Sequence, residues 1–203
     1  MAYVSLLGDS VIDNKIYVNP GELSVKEHLE EQSGYVFNQI AVDGHTTNDV
    51  IEYQIDKVNN KLTTHKVLSI GGNDLLGHLG FLKNNIELTA IEILEQAVVL
   101  LAPIKNRYRT IVQNLSQQNP NLLLCTVYEG NLVGDSFYSD VAFASKAMVS
   151  MFNDIVFNTA FTFNTDVLDL RNIFTTPEDY ANPIEPSHTG GKKLSKEILE
   201  WVN

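Results

Sequence analysis

Five short apolar segments, rich in β-branched or aromatic residues, punctuate this chain, and longer stretches of helical period fill the gaps between them. The five cover residues 3–7, 35–42, 66–70, 122–128 and 166–170. The clearest helical stretch, 88–117, places Ile91, Leu94, Val98, Leu101, Ile104, Tyr108, Ile111 and Leu115 at steps of three or four. Pro103 predicts a kink or a split in it. Further helices are predicted over 141–161 and 191–202, with shorter ones over 24–32 and 48–59. Strands that alternate with helices and are apolar nearly throughout predict a parallel sheet covered on both faces. With 203 residues and no repeat, low-complexity tract or linker, one three-layer α/β/α domain over 1–203 is expected.

The charge balance narrows the partners. Fourteen Lys and Arg against 25 Asp and Glu leave a net charge of −11, which repels phosphate backbones and anionic headgroups. Nucleic acid is therefore not an expected partner, and no apolar run approaches the roughly 20 residues of a membrane span. Residues 1–7 lack a basic leader segment, so no signal peptide and a cytoplasmic location are expected. Cys125, the single cysteine, sits in an apolar run and reads as a buried small hydrophobe. No spacing of His and acidic residues implies a metal, and no cofactor is expected. Oligomeric state is not legible in the sequence.

In open parallel sheets, chemistry gathers beyond the carboxyl ends of the strands, and four segments there carry residues suited to it. The first strand ends in Gly8-Asp9-Ser10, where the glycine permits a tight turn and the serine is presented at its tip. The second ends in Asp43-Gly44-His45-Thr46, a glycine turn with a helix cap to follow. The third ends in Gly71-Gly72-Asn73-Asp74, where an amide N–H of Asn73 can meet a developing oxyanion. Near the C-terminus, Pro183 and Pro186 stiffen the loop that carries Glu185 and His188. A carboxylate three residues before a histidine can fix its tautomer and leave the other ring nitrogen as a base.

Together these segments resemble the GDSL or SGNH hydrolase superfamily, whose four signature residues match Ser10, Gly44, Asn73 and His188 in order. The resemblance implies a flavodoxin-like α/β/α sandwich around a five-stranded parallel sheet. It also implies a serine esterase or lipase acting on a small-molecule acyl ester through a covalent acyl-enzyme. In that frame Ser10 is the nucleophile, His188 its base and Glu185 the orienting acid. The N–H groups of Ser10 and Gly44 and the Asn73 amide form the oxyanion hole, with Asp9 and Asp74 in support. The chain departs from the family pattern at Val11, in Glu185-Pro186-Ser187-His188 where Asp-x-x-His is usual, and in the early Gly190-Gly191. Asp179 is the alternative acid and His45 a remote substitute base.

Leu76, Leu79, Phe81 and Leu82 are candidates for an apolar acyl wall. His28, among Glu27, Glu30 and Glu31, reads as a solvated helix face, and His78 as a possible cleft residue. Two other classes of function fit the same fold. One is a catalytically silent SGNH-fold binding protein, the other a flavodoxin-like anion-binding module. Against the second, no phosphate-binding glycine fingerprint or P-loop lysine follows the first strand.

Overall fold

A computed structural model describes residues 1–84, 87–117 and 121–203, with the backbone alone at 82–84. The five strands are β1 (Tyr3–Gly8), β2 (Val36–Gln39), β3 (His65–Ser69), β4 (Leu122–Cys125) and β5 (Asp166–Leu168), all parallel, in the order β2-β1-β3-β4-β5. β2, β4 and β5 are shorter than the apolar runs that predict them, because residues such as Ile40 and Ala41 bury themselves in the loops that leave the sheet, while β1 and β3 match theirs to within a residue. Alternation along each strand divides the core in two. Leu7, Leu68, Leu122 and Leu124 face one layer of helices, while Val4, Leu6, Val67, Leu123 and Cys125 face the other.

The first layer holds α2 (Thr47–Asp49), extended by further turns at Val50–Gln54 and Ile55–Lys57, together with α5 (Ala90–Ser116) and α6 (Ala142–Phe163). The second holds α1 (Val25–Gln32) and α7 (His188–Val202). Two short helices, α3 (Gly72–Leu76) and α4 (Leu79–Asn84), follow β3. Among the described residues no helix is long and apolar enough to cross a membrane. Capping residues start the helices where the sequence supplies them: Ser24 accepts from the Glu27 N–H and Thr89 from the Glu92 N–H.

Pro103 neither splits α5 nor ends it. The carbonyl that the proline deprives of its donor belongs to Val99, which is 70% exposed, so water can take the missing bond. Pro103→Ala restores that bond on an unchanged helix. We expect it to raise unfolding stability by about 1–3 kcal/mol, read as a higher urea midpoint at constant m.

The strand order also selects a place for a site. β1 is flanked by β2 on one side and β3 on the other, so the connections leaving β1 and β2 run in opposite directions across the sheet. A crevice opens at such a reversal, beyond the carboxyl ends of β1 and β3.

Candidate active site

Past Gly8 the chain forms one helical turn, in which the Ile12 and Asp13 N–H groups donate to the Asp9 carbonyl at 3.1 and 3.0 Å. The next helix, α1, begins at Val25, within the stretch 24–32 predicted for it. Asp9 N–H donates to the Ser69 carbonyl at 3.1 Å, tying this turn to the end of β3. Gln54 holds the strand end from below: its Oε1 accepts from Gly8 N–H at 2.9 Å and its Nε2 donates to the Gly8 carbonyl at 2.7 Å. Nothing in the local sequence names Gln54 as part of a site. The available signal is a buried amide in register with the apolar Val50, Ile51 and Ile55 of its own helical face.

Ser10, Asn73 and Glu185 line one cleft, which encloses about 770 Å³ of space partly open to solvent. Most of its remaining wall is apolar, built by Leu75, Leu76, Leu79, Leu132, Met148 and Val149, with Asp9, Ser69, Thr126, Glu129 and Ser145 also on the lining. Of the expected acyl wall, Leu76 and Leu79 are therefore in place, Phe81 lies off the cleft, and the Leu82 side chain falls outside the described residues. Asn73 Nδ2 donates to the His45 carbonyl at 2.9 Å, which occupies one amide hydrogen and leaves the other. Gly44, with φ of +79°, is the third residue of a turn closed by His45 N–H on the Val42 carbonyl at 3.2 Å. Its loop is fastened to the serine loop, because Asp13 accepts from the Asp43 N–H at 3.0 Å and from Gln39 Nε2 at 2.7 Å.

The two supporting aspartates differ in role. Asp74 is structural: it accepts from the Thr47 N–H and hydroxyl at 2.8 and 2.7 Å and pairs with Arg107 at 3.2 Å, joining α2, α3 and α5. Asp9 is 3% exposed, and burial pushes its carboxyl up to about 8, against the opposing Val11 N–H that its Oδ1 accepts.

The C-terminal loop departs from the expected triad. Glu185 is buried in the wall of the cleft that Ser10 also lines. Burial raises the Glu185 carboxyl above the ordinary range; Ser10 opposes that rise and the Asp43 charge adds to it. His188 does not line the cleft. It opens α7, where its Nδ1 accepts from the Leu23 N–H at 3.0 Å and meets His28 Nε2 at 3.1 Å. The structure thus brings Glu185, not His188, to the serine. The physical reason is the helix start: Ser187 caps α7 by accepting from the Gly190 N–H at 3.2 Å, which turns the next residue toward α1.

His28 is correspondingly not solvated. It is 2% exposed and packs on His188 at 4.6 Å between ring centroids, and burial is the main force holding its pKa down. His45 offers its Nδ1 to Gln54 Nε2 at 2.9 Å, and His78 lies off the cleft. Asp179, the alternative acid, is fully buried, and its carboxylate is taken up by Lys193 at 2.7 Å and the Thr175 and Thr176 N–H groups at 3.0 and 2.9 Å. Burial opposes its ionisation, but these partners prevail and hold its pKa below the ordinary value. Cys125 is buried and its thiol is pushed up to about 12, as befits a core residue.

The five-stranded parallel sheet between two helical layers is a fold that this chain shares with solved lipases and acetyl xylan esterases. Solved structures agree along the whole chain. An extracellular lipase from Streptomyces rimosus is 17% identical, with a TM-score of 0.72 and 100% of both chains covered. A phospholipase A1 from Streptomyces albidoflavus is 15% identical at a TM-score of 0.71, covering 98% of each chain. An acetyl xylan esterase, AlAXEase, is 21% identical at 0.67, covering 99% of this chain and 100% of its own. No protein-family model and no curated protein sequence matches the chain.

Proposed function

We propose that this protein is a serine hydrolase that cleaves carboxylic ester or other acyl bonds through an acyl-enzyme on Ser10. The observation that carries the reading is the placement of Ser10 and Asn73 in one cleft at the switch point of the sheet, beside a buried carboxylate and an apolar wall. The similar solved structures are named as lipases, a phospholipase and acetyl xylan esterases, which supports the class of reaction. In this reading Ser10 Oγ attacks the acyl carbon as its proton leaves to a neighbouring base. The oxyanion that forms is met by the N–H groups of Ser10 and Gly44 and by the free amide hydrogen of Asn73. Water then releases the acid by the same sequence. The substrate is a small acyl ester whose acyl chain lies along Leu75, Leu76 and Leu79.

A fluorophosphonate probe tests the reading, since only an activated serine reacts with it. Covalent labelling at Ser10, located by peptide mass, supports a hydrolase; an unlabelled native protein means a binding protein on the same fold. Asn73→Ala separates transition-state stabilisation from binding. We expect kcat to fall about a hundred- to a thousandfold with KM little changed, because the amide matters most when charge develops. A raised KM at constant kcat would make Asn73 a substrate ligand instead.

A further inference from the structure

We propose that Glu185 is the general base that takes the proton of Ser10, and that His188 is a packing residue of the α1–α7 interface. The inference rests on the acyl-transfer reading of the cleft and assigns the proton acceptor that this reading requires. Three observations carry it. Glu185 lines the same cleft as Ser10, and its Oε2 is buried without a hydrogen-bond partner, so the cleft that holds the nucleophile also holds a carboxylate oxygen with a vacant site. His188 is engaged elsewhere, its Nδ1 accepting from the Leu23 N–H and its ring lying against His28.

The third observation is the loop that presents Glu185. Asn182 Oδ1 accepts from the Ile184 and Glu185 N–H groups, both at 3.0 Å, in a local turn. The Pro183 carbonyl accepts from the Asn131 N–H at 2.8 Å, the Pro186 carbonyl from Asn14 Nδ2 at 3.2 Å, and the Ile184 carbonyl from the Tyr128 hydroxyl. Two separate segments, the loop after β4 and the turn after β1, therefore fix the backbone on both sides of one carboxylate. Such support holds a reacting group in place; a mere surface acid needs none of it.

The electrostatics agree. The charge of Asp43, after β2, bears on Glu185, and Glu185 in turn bears on Asp9, after β1, and on the phenols of Tyr17, Tyr128 and Tyr138. Burial raises the Asp9 carboxyl and all three phenols, which favours their neutral forms, so of these groups Asp43 is the one that competes for negative charge. A carboxylate whose pKa is raised by a dry wall is a stronger base than one in water. Glu185 accepts the Ser10 proton as the Oγ–C bond forms. It then delivers that proton to the leaving alkoxide as the C–O bond breaks. In the second half it takes a proton from water and returns it to Ser10 Oγ, so the enzyme is regenerated with no other reactant.

The test compares variants on an aryl acetate and on fluorophosphonate labelling of Ser10. His188→Asn keeps an acceptor for the Leu23 N–H, and its kcat/KM should stay within about tenfold of the native protein. Glu185→Gln should lose about a hundred- to ten-thousandfold in both readouts, and Glu185→Asp should recover part of it. The acid limb of the kcat/KM profile should persist in His188→Asn. A folded His188→Asn as inactive as Glu185→Gln would overturn the proposal while native labelling upheld the hydrolase. Absent labelling of the native protein would overturn both. Should His188→Asn unfold, His188→Gln decides by the same criteria.

Discussion

Ser10→Ala should abolish turnover of an aryl ester, lowering kcat by several powers of ten, while the far-UV spectrum and the urea midpoint stay close to native. The size of the loss follows from the chemistry, because without an oxygen at this position no acyl-enzyme forms and only water attack on a bound substrate remains. The small structural effect follows from the surroundings. Ser10 lines a cleft partly open to solvent, and the turn itself is held by backbone bonds and by Asp9, which the substitution leaves in place. Deleting the hydroxyl also removes the interaction that opposes the rise of the Glu185 pKa, so that carboxyl should titrate still higher in the variant. Unchanged ester hydrolysis by the alanine variant would remove Ser10 from the reaction.

Gly8→Ala should be the most damaging single-methyl change in the protein, costing more than about 3 kcal/mol and leaving little folded material. Gly8 has φ of +131°, a region that side chains rarely adopt, and an added Cβ would lie 1.8 Å from the Ser69 carbonyl oxygen. That oxygen is backbone of the neighbouring strand and accepts the Asp9 N–H, so it cannot withdraw without opening the β1–β3 ladder. A shift of that oxygen would also loosen the Asp9 N–H bond that ties the Ser10 turn to β3. Gly34 gives the control: nothing lies within 4 Å of a Cβ there, and Gly34→Ala should change the urea midpoint very little. Equal stability of the two variants would mean that β1 and β3 can part without cost.

The layered fold and most of the site's position are properties of the sequence alone. Nearly continuous apolar content in five short segments and helical spacing between them leave a parallel sheet with two helical covers as the arrangement that buries both faces, and the strand-end rule then points at Ser10, Gly44 and Asn73. Those residues are legible because each occurs in a local motif whose backbone demands are visible in the chain itself. The acid-base partner was not legible in this way. Glu185 and His188 are three residues apart, and either can be drawn toward the serine on paper. Which one arrives is decided by the start of α7. Ser187 caps that helix, sends His188 back against His28 and Leu23, and leaves Glu185 on the cleft side of a loop pinned by Asn14, Tyr128 and Asn131. The same tertiary contacts buried His28 despite its acidic neighbours, and gave Asp179 to Lys193. Local sequence sets which residues can cap, turn or alternate. Partners more than a hundred residues apart, as His188 is from Leu23, meet only through packing of whole helices, and no window of sequence contains that information.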